Sequence, residues 1–138
     1  MKKILLFVFA LIAFSRCSEN DPEAIAELSP VVGKWRLTAY GAGDSLIFVS
    51  TVQSQVTIIR PDGIMVDEEG VQGCCPPTRY LFNGVEITPK PAAPVKSADC
   101  SLVLCAPCGE MTITTPMSDP DVMVIECDGR SMWYKREQ

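Results

Sequence analysis

Seven cysteines and the absence of histidine set the chemistry open to this 138-residue chain. Cys17 stands alone near the N-terminus, while Cys74, Cys75, Cys100, Cys105, Cys108 and Cys127 share the second half. A chain without histidine lacks the commonest general base and the commonest metal ligand. Neither a Ser-His-Asp nor a Cys-His nucleophile can be assembled from it. Carboxylates cluster at Asp67-Glu68-Glu69 and around Asp119 and Asp121. Both sets fall in turn segments, where acidic side chains are ordinarily hydrated. The expectation is a non-enzymatic protein with no cofactor and no metal.

The six later cysteines form an even set. In an exported chain such a set reads as a disulfide framework, with fifteen possible connectivities. Cys105-Ala106-Pro107-Cys108 has the spacing of a redox dithiol. Such dithiols open a helix in a βαβ unit, however, and this one lies between the β-like runs 101–105 and 110–115. A zinc site would need a second ligand pair at chelating distance, and the adjacent Cys74 and Cys75 are poorly placed to supply it. Structural bridging fits best, with redox and metal chemistry as the alternatives.

Behind Met1-Lys2-Lys3, residues 4–14 (ILLFVFALIAF) form an unbroken apolar run of eleven residues. That suits the apolar core of an export signal, about 7–15 residues, and falls short of the roughly 20 that span a bilayer. Ser15-Arg16-Cys17 follows, and polarity then switches to Ser18-Glu19-Asn20-Asp21-Pro22-Glu23. A cysteine in this position resembles a bacterial lipobox, with Arg16 standing where that motif usually has a small residue. The resemblance implies removal of residues 1–16, acylation of Cys17, and a lipid anchor at the outer membrane or cell surface. It also accounts for the odd cysteine. A conventional signal cleaved elsewhere and an uncleaved anchor are the alternatives. The stretch after Cys17 resembles the Ser-plus-acidic tether of surface-exported lipoproteins in the Bacteroidetes, although acidic, Pro-containing stretches are also ordinary solvated linkers.

The chain has 12 basic residues, and losing Lys2, Lys3 and Arg16 leaves 9 against 17 acidic ones, a net charge of −8. Such acidity opposes binding to a phosphate backbone, so nucleic acid is not an expected partner.

The rest of the chain must position the cysteines, and it reads as strands. Residues 21–28 suggest a short helical turn, with Asp21 as cap and Pro22 at the favoured first position. In residues 33–40, Trp35, Leu37 and Ala39 alternate with Lys34, Arg36 and Thr38, the period of a half-buried antiparallel strand. A second run extends from Leu46 through Val52 and Val56 to Ile58. Pro61-Asp62-Gly63 turns it back into residues 64–66, and Asp67-Glu68-Glu69-Gly70 closes that hairpin. Asn83-Gly84 and Asp128-Gly129 each sit between two β-like runs and predict tight hairpins. Residues 71–78 and 89–99 are rich in proline or cysteine and read as loops. Eight or nine short strands, mostly joined to the next in sequence, suggest a meander that could close and hide its edges.

Gly33-Lys34-Trp35 at the start of the first long strand resembles the Gly-x-Trp signature of the lipocalin superfamily. The final strand, Met132-Trp133-Tyr134-Lys135-Arg136, offers the basic residue that this family stacks on its tryptophan. Arg136 is the first choice and Lys135 the second, because a planar guanidinium packs on an indole better than an ammonium does. With the lipid cysteine, the linker and the Pro61-Asp62-Gly63 hairpin, the chain resembles the lipocalin-like lipoproteins of Bacteroidetes-type bacteria. The resemblance implies an all-β fold: an eight-stranded antiparallel meander closing into a barrel over residues 29–138, after a linker and short helix at 17–28. Gly33, Trp35 and Arg136 would close one end. Trp35, Leu37, Val52, Val56, Ile58, Val85, Ile87, Met111, Ile113, Val122, Val124, Met132 and Tyr134 would face inward.

Such an interior holds one small ligand or is filled by its own side chains. Two function classes follow. One is a membrane-anchored protein that binds a small hydrophobic ligand. The other is a structural or protein-interaction module, inhibitor-like in character, with 71–78 or 89–99 as the presented loops.

Overall fold

The computed structural model describes residues 24–43, 45–50, 54–106 and 108–138. The expected signal segment, Cys17, Asp21, Pro22 and Val52 lie outside them. A 3-10 turn at Ala26–Leu28 precedes β1 (Gly33–Ala42), β2 (Ser45–Phe48), β3 (Val56–Ile59), β4 (Met65–Val66), β5 (Val71–Gln72) and β6 (Tyr80–Phe82). There follow β7 (Val85–Ile87), β8 (Lys96–Ser97), β9 (Met111–Thr114), β10 (Val122–Cys127) and β11 (Arg130–Arg136). The fold is nearly all β, as the alternation predicts. The main sheet runs β4-β3-β1-β11-β10-β9-β6-β7, with β2 also paired to β1, while β5 and β8 make a separate parallel pair.

This sheet curls into a half-barrel rather than a closed barrel. The first and last long strands do meet, since β1 pairs with β11 from Trp35–Arg136 to Ala42–Arg130. The opening falls between β4 and β7, which are not paired with each other among the described residues. Its cause is local. After β4 the chain leaves the sheet for the segment carrying Cys74, Cys75, Pro76 and Pro77, whose prolines donate no ladder hydrogen bonds. It rejoins as β6, which lies parallel to β9 rather than continuing the meander.

Other elements also depart from expectation. The run from Leu46 to Ile58 is two strands, β2 and β3, paired to opposite halves of β1. A register shift between Leu37 and Ala39 separates those halves. Residues 101–105 are turn and loop instead of strand. Both expected loops, 71–78 and 89–99, contribute a two-residue strand. The two hairpins form as predicted: Asn83 and Gly84 have φ of 46° and 84°, and Asp128 and Gly129 have 49° and 75°. Two consecutive positive φ values are the mark of a type I′ turn.

Register assigns the core face. Leu37 lies opposite Tyr134, and Tyr134 opposite Met123. Ile125 lies opposite Met132 and Ile113, and Ile113 opposite Phe82. Directly opposed residues share a face, so these side chains form one apolar surface with Trp35. Met123 and Ile125 take the inner face in place of the expected Val122 and Val124, which lie on the other face opposite Lys135 and Trp133, where Val124 is nevertheless buried. Ile58 likewise lies opposite Lys34, while Thr57 and Ile59 pair on the Trp35 side; Val56, opposite Arg36, is buried all the same. In both strands the apolar residues are contiguous (Val122-Met123-Val124-Ile125, Ile58-Ile59), so alternation cannot choose the inner face. Val85 is corrected too: it is 47% exposed on the edge strand β7, although Ile87 is buried.

One end of the half-barrel is closed by Trp35, which is fully buried. Its Nε1–H donates to the Val31 carbonyl at 2.7 Å. The Arg136 guanidinium lies 4.2 Å from its ring centroid and donates to the carbonyls of Val32 and Pro30. Gly33 has a φ of +133°, and a Cβ there would lie 3.1 Å from Arg136 Nη1. A side chain at 33 would therefore crowd the guanidinium by a few tenths of an ångström, in addition to the strain of its positive φ.

The neighbouring Pro61-Asp62-Gly63 turn is pinned by Asp62, only 1% exposed. Its carboxylate accepts from Arg60 at 2.7 Å, Ile64 N–H at 3.2 Å and Ala92 N–H at 3.3 Å, which draws the proline-rich loop onto the sheet. The Tyr80 hydroxyl donates to the Gly63 carbonyl at 3.1 Å. Burial, with the Asp62 charge adding to it, pushes Tyr80 up to about 12.

Gly33→Ala is expected to cost about 1–3 kcal/mol through backbone strain alone, read as a fall in Tm. Gly73→Ala, with nothing near the added Cβ, stays within about 0.5 kcal/mol. A raised tyrosine pKa favours folding while the phenol stays neutral, so its contribution is complete below pH 10 and lost as pH rises towards about 12. Melting curves across that window fall less steeply in Tyr80→Phe.

Candidate functional site

The chemistry-bearing residues are joined by three disulfides. Cys74 and Cys75 stand side by side, and Cys75 takes a positive φ of 61°. Cys74 bonds to Cys100 with Cα atoms 5.6 Å apart, and Cys75 bonds to Cys105 with Cα atoms 5.4 Å apart. Adjacency is a poor arrangement for chelation, and here it makes a clamp. Two neighbouring residues hold both ends of the 100–105 loop.

Inside that loop Val103 N–H donates to the Cys100 carbonyl at 3.1 Å. Ser101 N–H donates to Asp99 Oδ1 at 3.1 Å, and this contact with the serine holds the Asp99 carboxyl below its ordinary range. The apolar side chains have nowhere to bury: Leu102 is 96% exposed and Leu104 98%. A third bridge, Cys108–Cys127, ties the next segment to the β10–β11 hairpin, where Gly109 N–H also donates to Asp128 Oδ1 at 3.3 Å.

The CxxC is therefore split, with Cys105 and Cys108 bonded to different partners. It is no dithiol in this state. Ligand atoms of Cys108, Cys127 and Asp128 lie within 4.8 Å of one another, but the two sulfurs are bonded together and offer no thiolate pair to a metal.

Residues 73–77 cross the concave face and roof a cavity of ≈ 240 Å³, bordered by Met111, Ile125, Met132 and Tyr134. On the other side of the same segment a groove of ≈ 400 Å³ runs between Pro76, Pro77, Tyr80, Leu81 and Cys105. Of the residues expected to line a cup, Met111, Met132, Tyr134 and Val56 border the cavity. Leu37, Ile87 and Ile113 are spent in the packed core. Ile58, Val122, Val124 and Val85 line neither. Gly33, Trp35 and Arg136 meet at the end that Trp35 closes.

Leu102 and Leu104 are the residues that strand reading missed as a surface feature. The signal was present: cysteines five positions apart, matched by an adjacent pair, can enclose a loop as readily as flank a strand.

Comparison with known protein families, curated proteins and solved structures finds no match.

Peptide mapping of non-reduced protein is expected to return Cys74 with Cys100, Cys75 with Cys105, and Cys108 with Cys127; a Cys105–Cys108 peptide would contradict this assignment. Removing the bridge of sequence separation 19 in a Cys108→Ala/Cys127→Ala variant costs about 3 kcal/mol by loop entropy, measured by urea unfolding.

Proposed function

We propose that this chain is a lipocalin-like lipoprotein, tethered through Cys17 at the outer membrane or cell surface, whose domain is a non-enzymatic module that presents the 100–105 loop to a protein partner. One observation carries the reading. Leu102 and Leu104 are almost wholly exposed on a loop whose two ends are bonded to adjacent residues. Exposed leucines are costly to hold in water, and a loop fixed before binding loses little entropy on binding. Together these are the attributes of an interaction surface.

The family likeness is supported by the Gly33–Trp35–Arg136 arrangement and by the pairing of first and last long strands. A lipid tether fits the geometry. The described chain begins beside the Pro61 carbonyl, which Ile25 N–H contacts at 2.9 Å, at the Trp35 end of the sheet. The stapled loop is bonded to Cys74 and Cys75 instead, away from that entry point in the chain. Pocket size does not separate this reading from a small hydrophobic ligand: the cavity of ≈ 240 Å³ is below the roughly 300–1,000 Å³ of ordinary ligand sites, whereas the groove of ≈ 400 Å³ lies within that range.

Two measurements test this. Labelled fatty acid is expected in the wild-type chain and absent from Cys17→Ser. A photo-crosslinking residue at position 102, in intact cells, is expected to form discrete protein adducts that disappear in Cys74→Ala/Cys100→Ala. The same probe at Met117, equally exposed, forms none. Adducts with lipid alone, or equal adducts from both positions, would contradict the reading.

A further inference from the structure

A second feature of the surface is independent of the stapled loop. β2 is an edge strand: among the described residues it pairs only with β1. All four of its residues are exposed, with Leu46 at 45%, Ile47 at 67% and Phe48 at 78%. Soluble proteins guard such edges with lysine, proline, a bulge or a covering segment. Residues 45–50 (Ser-Leu-Ile-Phe-Val-Ser) contain no lysine, no proline and no charge of either sign.

Both faces of the edge are apolar. Ile47 lies opposite Tyr40, itself 44% exposed. Phe48 lies opposite Ala39, and Ala39 opposite Trp133. A partner strand must therefore offer apolar residues at successive positions, and must do so beside an acidic domain.

We propose that β2 pairs antiparallel with β2 of a second copy of this chain, joining two half-barrel sheets across a two-fold axis at Ile47. The register follows from parity. Opposed residues in an antiparallel pair share a face, so a two-fold pairing must match positions of the same parity. Centring it on Ile47 sets Ile47 against its own copy and Leu46 against Phe48, apolar with apolar, and Ser45 against Val49, with no charge on either side. An isologous interface repeats each side chain's charge across the axis. For a chain of net charge −5, an uncharged strand is where two copies can meet without opposing carboxylates. The pairing uses the backbone edge that is free among the described residues and covers the exposed Leu46, Ile47 and Phe48.

The test uses the full chain purified from membranes. Sedimentation over a wide concentration range is expected to show one chain converting to two. Ile47→Lys places two like charges on the axis and weakens association at least about tenfold. Its Tm and circular dichroism stay at the wild-type values, because Ile47 contributes little to the core. Leu102→Lys associates like wild type, which separates this proposal from the loop reading. In the membrane, Ile47→Cys chains become disulfide-linked pairs and Lys135→Cys chains do not. A single chain at every concentration, a dimer that Ile47→Lys leaves intact, or Ile47-dependent attachment to lipid vesicles by a monomer would each overturn it.

Discussion

Trp35 has to be buried, and almost every element near it is arranged to make that possible. An indole placed wholly out of water needs a partner for its N–H, and the Val31 carbonyl supplies one. Its ring face needs a cover, and Arg136 provides it while answering carbonyls that would otherwise be left at the chain's entry to the sheet. That stack joins the first long strand to the last. Register through β1 and β11 then decides which side chains face inward across the remaining strands. Gly33 belongs to the same constraint, because the space a side chain would need is occupied by the guanidinium.

The disulfides work against closure and hold an exposed loop. A barrel of this size would bring its two outer strands together, but the chain between β4 and β6 is committed to the paired cysteines and prolines. The result is a half-barrel roofed at one side by a cross-linked segment. Its bridges lie on three short tethers with sequence separations of 26, 30 and 19. The first two interleave: Cys75 lies inside the loop that Cys74 and Cys100 close and Cys105 lies outside it, so the second bridge mainly fixes the 100–105 loop. An exposed Leu102–Leu104 pair on a freely moving loop would be an aggregation hazard, whereas on a fixed one it is a shaped surface.

What sequence made legible was whatever is written in local chemistry. Asn83-Gly84 and Asp128-Gly129 need positive φ, and few residues other than these adopt it, so both hairpins were readable. The strict alternation around Trp35 and Leu37 gave their inward direction directly. Where apolar residues run together, as in Val122-Met123-Val124-Ile125, the face was undetermined, and long-range register chose the members that had not been expected. Closure failed for a related reason: pairing between β4 and β7 depends on where the intervening chain goes, and six cysteines leave fifteen possibilities. The 100–105 segment has strand-like composition and becomes a loop because covalent bonds override propensity.

The central claim is that the two interleaved bridges hold the 100–105 loop in one conformation. Backbone 15N relaxation of the oxidised protein measures this most directly. Order parameters at Leu102 and Leu104 are expected near 0.85, the value of a rigid backbone, and to fall below about 0.6 once Cys75 and Cys105 are replaced by alanine. Values below 0.6 in the fully bridged protein would contradict the account.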